Sequence, residues 1–495
     1  MSSVETRNAL RFRFRGRDVS LERFSPRATV LDWLREDQRA KGTKEGCAEG
    51  DCGACTVAVG RLKGGRLTYE ALNACILFLG QLDGTELVTI EDLADGDTLH
   101  PVQQAMVDFH GSQCGFCTPG IVMSLFTLYE GTHTVDRAAV TDQLAGNLCR
   151  CTGYRPILDA ALSACGSRTG TELLSRRGET AAALASLDDG ADSFIGDAAG
   201  FFAAPASIAS LASLYAAHPD AVIVSGATDV GLWITKQLRT LPKIIHIGRV
   251  AGLSDVVEAA DHLEIGATAT FAALHAALAA IDPDLGEVLR RIGSKQVRAS
   301  GTLGGNIANG SPIGDSPPAL IALDATITLQ KGEAVREIPL EDFFIAYGKQ
   351  DRAPGEFLKS IRVPKLKSGE VYRAYKVSKR FDQDISAVMS AFRFTLDGET
   401  ITAARIAFGG MAATPKRASG AETALVGVPL GDPTAWKPAL AAIRTDFAPL
   451  SDMRASADYR RETAAALLEK ALIEVAGTAT SQTRVMGQRP AEAAE

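Results

Sequence analysis

The nine cysteines of this chain are crowded into its first third. Eight of them lie between Cys47 and Cys151, Cys165 follows, and residues 166–495 contain none. A framework of structural disulfides is not normally confined to one part of a chain in this way. Clustered cysteines of this kind indicate metal or redox chemistry, and the loops that carry them must then be built around a bound group.

The first cysteine set has the spacing of a plant-type ferredoxin. Cys47, Cys52 and Cys55 follow the pattern C-x4-C-x2-C, and Cys75 comes after nineteen further residues. This spacing is typical of a [2Fe–2S] cluster. The intervening glycines fit, because a loop around a cluster aims several backbone N–H groups at sulfur with dihedral angles open mainly to glycine. A zinc site and scattered buried thiols are the alternatives, but zinc loops usually carry two separated Cys pairs.

The second set is Cys114 and Cys117, followed after thirty-one residues by Cys149 and Cys151. Spacing alone leaves zinc or a dithiol redox pair open as alternatives to a cluster. Both halves of the set precede predicted helix starts, and the positive end of a helix dipole favours an anionic thiolate centre. These positions favour a cluster. Cys165, at a predicted helix end, is interpreted as a small buried hydrophobic residue.

Charge and hydropathy narrow the class of protein. Lys and Arg number 52 against 59 Asp and Glu, so the net charge is −7 and no general basic surface for nucleic acid is expected. No apolar run approaches the ~18 residues that span a bilayer, and residues 1–17 lack the apolar core of a secretory leader. We therefore expect a cytoplasmic protein that binds neither nucleic acid nor membrane. The length of 495 residues predicts three or four domains.

Local patterns predict an α+β multidomain chain. Residues 10–14 alternate like a half-buried strand, and Thr29 is positioned to cap a short helix over 29–38. Pro119 and Pro156 stand where helices begin, with Thr118 expected to cap the first of them. Residues 166–193 have no firm period and are interpreted as a linker. Further predicted strands cover 55–59, 86–90, 391–395 and 404–408, and predicted helices cover 102–110, 119–130, 137–145, 156–165 and 457–475.

Two glycine-rich segments in the cysteine-free part are suited to bind a nucleotide. No G-x4-G-K-[ST] loop is present, which argues against a P-loop NTPase, and no G-x-G-x-x-G follows a strand, so a Rossmann site is not predicted. Residues 221–231 form a predicted strand, turn and helix, and residues 300–307 a glycine-rich turn. In either segment backbone N–H groups could approach a pyrophosphate, and either could equally be a tight turn without a ligand.

The cysteine motifs, taken with their neighbours, resemble the iron–sulfur modules of the molybdenum hydroxylases. The motifs are KEGCAEGDCGAC at 44–55, NAC at 73–75, QCGFCTPG at 113–120 and GNLCRCTGY at 146–154. In that family a ferredoxin-like β-grasp domain precedes a four-helix domain, and each holds one [2Fe–2S] cluster. The resemblance assigns one set of ligands to each cluster, namely Cys47, Cys52, Cys55 and Cys75, and then Cys114, Cys117, Cys149 and Cys151.

The two glycine-rich segments resemble the FAD-binding domain of the same family, which is α+β and not a Rossmann fold. Ile292 departs from the pattern, because vertebrate members place an aromatic residue there against the flavin. By the resemblance, loop 378–385 lies near the flavin edge where bacterial members receive NAD, with Arg380, Asp382 and Asp384 as candidate contacts. The implied FAD contacts are Ile223, Val224, Ser225, Gly226, Ala227, Thr228, Asp229, Val230, Ile292, Thr302, Leu303, Gly304, Gly305, Asn306, Asp315, Leu358 and Lys376.

The resemblance covers residues 8–475 and implies four domains in a fixed order. Residues 407–416 resemble the C-terminal domain that closes the FAD module. The implied boundaries are 1–90 for the ferredoxin-like domain, 91–165 for the all-helical domain, 166–194 for the linker, 195–368 for the FAD-binding domain, 369–478 for the α+β C-terminal domain and 479–495 for a disordered tail.

This domain order resembles the small subunit of the bacterial xanthine dehydrogenases. The resemblance implies a larger partner subunit that carries the molybdenum cofactor, in a heterotetramer with two copies of each chain. Electrons from the oxidation of hypoxanthine or xanthine to urate, in purine catabolism, would pass through the helical-domain cluster and the ferredoxin-like cluster to FAD and then NAD. No catalytic residue is assigned to this chain.

Two alternatives stay open. One is the corresponding subunit of another molybdenum hydroxylase that oxidises aldehydes or N-heterocycles. The other is a non-enzymatic metal-binding or assembly module with zinc at the cysteines and no flavin.

Overall fold

The computed structural model describes residues 6–131, 135–168 and 170–477. These residues form two compact units, of which the first runs to residue 252 and also includes 293–301, and the second contains 253–292 and the residues from 302 onward. The border between the units therefore runs through the segment 195–368, for which an FAD-binding domain is predicted. The predicted tail, 479–495, lies outside the described residues.

A five-stranded sheet with a short helical segment against it forms the first domain, as a β-grasp fold requires. The rings of Phe12 and Phe14 each lie 5.2 Å from that of Trp33, edge to face, which fixes the helical segment on the sheet. Thr29 caps that segment as predicted, since its hydroxyl accepts a hydrogen bond from Asp32 N. The elements are β1 (Thr6–Arg7), β2 (Leu10–Phe14), β3 (Arg17–Leu21), α1 (Val30–Asp32) running into a π-helical turn (Trp33–Asp37), β4 (Thr56–Lys63), β5 (Arg66–Asn73), a 3-10 turn (Leu79–Leu82), β6 (Glu86–Val88) and a second 3-10 turn (Ile90–Asp92).

The strands of this sheet lie in the order β3-β2-β6-β4-β5, with β2 and β6 parallel and the other neighbours antiparallel. The core beneath it is built from the alternate apolar residues of β2 and β4. Strand β1 belongs to another sheet, where it pairs with β7.

Four helices form the second domain, and each lies within two residues of its predicted bounds: α2 (Pro101–Asp108), α3 (Thr118–Gly131), α4 (Arg137–Leu144) and α5 (Arg155–Gly166). Thr118 is the first residue of α3, so its expected capping role is wrong. Cys117, directly before the helix, takes the N-cap position instead, and its carbonyl oxygen accepts from Ile121 N at 3.1 Å. At the start of α2, His100 Nδ1 accepts from Val102 N.

The predicted linker contains two helices, α6 (Glu172–Ser175) and α7 (Arg177–Leu187), and most of strand β7 (Asp192–Gly196). Leu184 and Leu187 of α7 are buried against Leu67 of β5. These two leucines, three residues apart, form an apolar stripe on α7 that is difficult to recognise in the Ala-rich sequence. The segment predicted as a linker is therefore partly helical and packed against β5.

A mixed sheet completes the first unit in the order β1-β7-β8-β10-β9, and only the pair β7–β8 is antiparallel. Its remaining elements are β8 (Phe201–Ala204), α8 (Ile208–Ala217), β9 (Val222–Val224), α9 (Val230–Thr235) and β10 (Lys243–His246). The segment 293–301, which carries helix α12 (Lys295–Ser300), belongs to this unit although residues 253–292 before it belong to the second unit.

The second unit contains two antiparallel sheets. The first has the order β11-β12-β17-β13-β14, and the second the order β18-β19-β20-β21 with β22 also paired to β20. Before residue 369 the elements are β11 (Val256–Glu258), β12 (His262–Gly266), α10 (Phe271–Ile281), α11 (Pro283–Arg290), α13 (Leu303–Asn309), α14 (Ser316–Ile321), β13 (Thr326–Lys331), β14 (Ala334–Pro339), a 3-10 turn (Leu340–Phe343), β15 (Phe344–Ala346), β16 (Lys349–Gln350) and β17 (Phe357–Pro364).

The C-terminal part of this unit folds around Trp436 and three strand phenylalanines. The ring of Phe392 is stacked on that of Phe394 and meets that of Phe408 edge to face. The elements of this part are β18 (Glu370–Val377), β19 (Val388–Asp397), β20 (Thr400–Gly409), β21 (Lys416–Arg417), α15 (Ser419–Leu425), β22 (Val428–Pro429), α16 (Lys437–Ala442) and α17 (Ala457–Val475), the last with its predicted bounds. No helix in the described ranges is long and apolar enough to cross a membrane.

Candidate redox centre

The first cysteine set is brought together by the β4–β5 hairpin. Cys55 directly precedes β4 and Cys75 closely follows β5. Because these strands pair antiparallel, with Thr56 opposite Asn73, their ends place Cys55 beside Cys75. Cys47 and Cys52 lie in the loop before β4. The sequence pattern therefore closes into one site through ordinary strand pairing.

The loop that carries Cys47 aims backbone N–H groups at its sulfur atom, as predicted. Glu49 N, Asp51 N and Cys52 N lie 3.5, 3.4 and 3.3 Å from Cys47 Sγ. Ala48 and Gly50 adopt positive φ angles of 53° and 79° to allow this approach. Three donors on one sulfur fit a thiolate that ligates a cluster.

The thiols of the first set hydrogen-bond with one another. Cys47 accepts from Cys52 and Cys75, and these bonds, with the backbone N–H groups, hold the pKa of Cys47 far below its usual range. The pKa values of Cys52 and Cys75 are raised because their protons are donated to neighbouring thiols and because burial disfavours their anions. Cys75 also interacts with Cys55, so the four side chains form one continuous series of contacts, from Cys52 through Cys47 and Cys75 to Cys55.

The second set is positioned by the starts of α3 and α5. Cys117 pairs with Cys149, and burial together with that bond raises the pKa of Cys117 to about 12. Burial works against ionisation of Cys149 too, but hydrogen bonds from Thr152, Cys117 and the backbone lower its pKa overall. The Thr152 hydroxyl lies 3.2 Å from Cys149 Sγ. Cys114 pairs with Cys151.

The two sets differ in exposure and are joined by one backbone hydrogen bond. Cys55 and Cys75 are buried, whereas Cys114 and Cys151 are exposed. Leu148 N, next to Cys149, donates to Cys52 O at 3.0 Å. None of the nine cysteines forms a disulfide, and Cys165 is buried in the apolar core of the helical domain, as expected. Among the described residues no group of three or more His, Cys, Asp or Glu side chains is arranged to hold a metal ion.

A buried cluster of uncharged polar side chains lies between the two iron–sulfur domains. Asn147 Nδ2 donates to Gly53 O at 3.1 Å, and its Oδ1 accepts from Ser124 Oγ at 2.6 Å. Gln296 of α12 reaches the same oxygen with Nε2 at 2.9 Å. None of these residues was predicted as a site residue, although Asn147 lies inside the motif at 146–154.

The first glycine-rich segment lies in the first unit, at the end of β9. Ile223 and Val224 belong to β9, Val230 begins α9, and the turn between them is 225–229. Gln81 Nε2 donates to Ser225 O at 2.9 Å and holds the turn. Ala227 has φ 60°, and a Cβ on Gly226 would lie 1.8 Å from Ser300 O. Within the described part of the chain no hydrogen bond is formed by the N–H groups of 226–228, which fits an anion cradle.

The second glycine-rich segment lies in the second unit, at the start of α13. Thr302 caps this helix, with its hydroxyl accepting from Gly305 N at 3.1 Å. A Cβ on Gly304 would lie 2.5 Å from Ala267 O, so only glycine fits there. Asn306 Oδ1 accepts from Ser316 Oγ, and Leu303 is buried in the core.

Asp315 and Lys376 form a buried ion pair in the same unit. Lys376 Nζ lies 2.7 Å from Asp315 Oδ2, with side-chain exposures of 2% and 8%. Ser386 Oγ donates to the other carboxylate oxygen. Of the other predicted contacts in this unit, Leu358 is buried and Ile292 is partly buried against the same core.

Loop 378–385 is tied to the end of α11. The Arg291 guanidinium donates to Lys376 O, Ser378 Oγ and Phe381 O at 2.9–3.2 Å. It also covers the Phe381 ring at 4.4 Å, and Arg290 lies 5.2 Å from that ring.

Of the three candidate residues of this loop, Asp384 accepts from Arg380 N, and Asp382 lies 3.7 Å from Arg290. The Arg380 side chain is half exposed. Arg290, Arg291 and Phe381 were not predicted, although their charges and aromatic ring stand in or next to the quoted segments.

Four family profiles match the chain in sequence. They describe a 2Fe-2S iron-sulfur cluster binding domain at residues 12–79, a [2Fe-2S] binding domain at 89–162, an FAD binding domain in molybdopterin dehydrogenase at 197–366 and a CO dehydrogenase flavoprotein C-terminal domain at 373–475.

Curated relatives include the xanthine dehydrogenase of Emericella nidulans, 31% identical over 89% of this chain and 36% of that protein. Rat xanthine dehydrogenase/oxidase is 31% identical over 82% and 34%, and aldehyde oxidase 2 of Macaca fascicularis is 29% identical over 83% and 35%. The chain spans about a third of the length of these relatives.

Among solved structures, a chain of a Cu,Mo-CO dehydrogenase in its cyanide-inactivated form is 30% identical with a TM-score of 0.53, covering 56% of this chain and 98% of that one. A chain of quinoline 2-oxidoreductase from Pseudomonas putida 86 is 26% identical with a TM-score of 0.51, covering 56% and 97%.

Proposed function

Because the chain belongs to the molybdenum hydroxylase family, we propose that it is the iron–sulfur and flavin part of a xanthine dehydrogenase. The observation that carries the proposal is the convergence of two four-cysteine sets, joined by one backbone hydrogen bond, in a chain that also matches an FAD-binding domain. When bound, the two [2Fe–2S] clusters would carry electrons one at a time to FAD, and FAD reduced by two electrons would transfer a hydride to NAD.

We assign Cys47, Cys52, Cys55 and Cys75 to one cluster and Cys114, Cys117, Cys149 and Cys151 to the other. The N–H groups aimed at Cys47 and the depressed pKa of that thiol support the first assignment. The pairing of Cys117 with Cys149 supports the second, because hydrogen bonds from Thr152, Cys117 and the backbone lower the pKa of Cys149 against the effect of burial.

The exposed second set is proposed to face the molybdenum site. Cys114 and Cys151 are exposed, and three large apolar side chains nearby in sequence, Phe109, Phe116 and Leu148, are 40–48% exposed. Apolar side chains left in water next to an exposed redox centre suit a protein interface. We propose that the molybdenum-bearing partner docks here, with two copies of each chain in the assembly.

FAD is assigned to the two glycine-rich segments and to Asp315, Leu358 and Lys376. Open N–H groups over 226–228 would hold a pyrophosphate, and Ile292 would pack on the flavin without aromatic stacking.

NAD is assigned to the exposed side of loop 378–385. There the Phe381 ring is 37% exposed, and the guanidinium groups of Arg290 and Arg291 lie over it. Such a surface suits an aromatic ring joined to a diphosphate.

The substrate proposal rests on the names of the curated relatives, several of which are xanthine dehydrogenases. Its test is NADH formation by the complex purified with its partner, using hypoxanthine, xanthine, an aldehyde and quinoline in parallel. Purine-dependent NADH formation is expected. Turnover of only the aldehyde or quinoline would move the assignment to another molybdenum hydroxylase, for which aldehyde oxidase 2 and quinoline 2-oxidoreductase are precedents.

The cluster assignment is tested with Cys149→Ser. One of two EPR signals of the reduced chain should disappear, because one ligand set loses a thiolate. Cys165→Ser is the matched control, since this buried cysteine belongs to neither set. A colourless protein that contains zinc would instead support the non-enzymatic alternative. Loss of both signals in a folded Cys149→Ser chain would contradict two separate sites.

A further inference from the structure

The two iron–sulfur domains meet at a glutamine that comes from a distant part of the sequence. Gln296 belongs to the segment matched by the FAD-binding profile, yet it packs in the first unit and is fully buried. Its Nε2 lies 2.9 Å from Asn147 Oδ1, 3.1 Å from Ser124 Oγ and 3.3 Å from Thr56 Oγ1. One amide group therefore contacts both domains at once.

The same polar cluster also binds the backbone next to cysteines of both sets. Asn147 Nδ2 donates to Gly53 O, which lies between Cys52 and Cys55. The next residue, Leu148, donates its N–H to Cys52 O. Since Cys149 follows at once, the covalent backbone and this single hydrogen bond connect a predicted ligand of one cluster with a predicted ligand of the other.

Close packing and an ion pair hold Gln296 in this place. A Cβ on Gly146 would lie 2.1 Å from Gln296 Oε1, so the glutamine fills the space that a side chain would need. Two residues along α12, Arg298 donates to Asp142 of α4 at 2.9 Å, with the arginine side chain only 7% exposed. Helix α12 is thereby anchored on the helical domain.

We propose that Gln296 is a positioning residue that fixes the Leu148 N–H to Cys52 carbonyl bond and, with it, the separation of the two cysteine sets. The consequence for redox chemistry rests on the proposed function. One electron leaves the reduced group on the second set and one enters the oxidised group on the first, with no bond formed or broken. The rate of this exchange depends on the path that Gln296 holds in place.

The experiment compares Gln296→Met with wild type in the full-length chain. Methionine keeps the length and volume of glutamine but makes no hydrogen bond to Asn147. Arg298→Met, which removes the ion pair of α12 with Asp142 and leaves Gln296 in place, is the second variant. Gln330→Met is the matched control, because Gln330 is a buried glutamine on β13 of the other unit.

Two readouts are taken. Hydrogen–deuterium exchange of the peptide containing Leu148 reports the backbone bond whether or not clusters are present. Low-temperature EPR of the fully reduced chain reports the magnetic coupling between the two clusters, and time-resolved reduction reports the exchange rate.

In Gln296→Met, the Leu148 amide hydrogen should exchange with deuterium several-fold faster than in wild type. The magnetic coupling between the clusters should weaken and electron transfer between them should slow several-fold, while each cluster keeps its own EPR g-values. Arg298→Met should change the same quantities in the same direction, and Gln330→Met should change none of them. Wild-type amide exchange and coupling in both test variants would overturn the proposal, as would equal changes in the control. A chain that binds no clusters would refute the proposed function, and the amide exchange would still decide the role of Gln296.

Discussion

The buried pair Asp315–Lys376 is the sharpest place to perturb the flavin half of the chain. The two charges lie 2.7 Å apart with side-chain exposures of 8% and 2%, and Lys376 Nζ also donates to Arg291 O at 2.9 Å. Coulomb's law with an effective dielectric constant of about 20 gives an attraction of about 6 kcal/mol at this separation. Most of that attraction offsets the cost of removing both charges from water.

Removing one partner leaves the other charge buried without compensation. Lys376→Met leaves the Asp315 carboxylate with only the Ser386 hydroxyl as a donor among the contacts described above, and Asp315→Asn leaves the Lys376 ammonium facing an amide. Each single variant should lower the free energy of unfolding of the second unit by about 3–5 kcal/mol. The double variant removes both charges, so its loss should be well below the sum, with a coupling energy of about 3 kcal/mol.

The assay is urea unfolding followed by tryptophan fluorescence, to which buried Trp436 contributes from this unit. FAD content is measured in parallel, because both residues are proposed flavin contacts. Lys365→Met is the matched control: its ion pair with Glu258 has the same 2.7 Å distance but lies at the surface, where the glutamate side chain is 72% exposed. The control should cost under about 1 kcal/mol. Single losses no larger than the control, or strictly additive losses in the double variant, would refute the argument.

Two further predictions concern the first unit. Burial, with Arg61 and Arg249 nearby, lowers the pKa of His246 to about 3. Between pH 6.5 and pH 3 the unfolded chain protonates this histidine and the folded chain does not. The free energy of unfolding therefore falls on acidification by up to about 1.4 kcal/mol per pH unit. Thermal unfolding of His246→Gln from pH 7 to 4.5 should show a shallower fall, and an unchanged slope would contradict this. Gly120→Ala should destabilise the helical domain by about 1–3 kcal/mol, because the new Cβ would lie 2.1 Å from Gly53 O. Gly131→Ala on the same helix, where no atom of the described residues lies within 4 Å of the added Cβ, should be neutral or stabilising in calorimetry. Equal losses in both variants would rule out the clash.

The helices around the cysteines could be predicted because short-range signals determine them. Proline and apolar spacing mark the starts of α3 and α5, and the glycine-rich loop at Cys47 has the N–H geometry that its spacing predicts. The cap at Thr118 was wrong for a local reason as well: Cys117 supplies the first helical acceptor, so Thr118 is already inside the helix.

What sequence reasoning missed depends on contacts between distant residues. Helix α7 was predicted as part of a linker, because two leucines in an Ala-rich sequence do not mark a buried helix face. That face becomes apparent in the structure, where Leu184 and Leu187 pack on Leu67 of β5. Gln296 is separated from Thr56 by 240 residues, and no local period marks such a contact. The two glycine-rich segments were recognisable as turns, but a turn motif does not determine the unit into which it folds, and the two segments belong to different units.

The position of α12 means that the iron–sulfur unit is not built by the first third of the chain alone. Its sequence lies between α11 and α13 of the second unit, yet its amide and guanidinium groups satisfy Asn147, Ser124 and Asp142 in the first. Losing this segment would remove one hydrogen-bond donor each from Asn147 and Ser124 and the ion-pair partner Arg298 from Asp142, at the contact between the cysteine sets. The flavin-domain sequence therefore contributes directly to the geometry of the iron–sulfur part. The buried amide groups of Asn147 and Gln296 make this contact, and because neither group titrates, their hydrogen bond does not depend on pH.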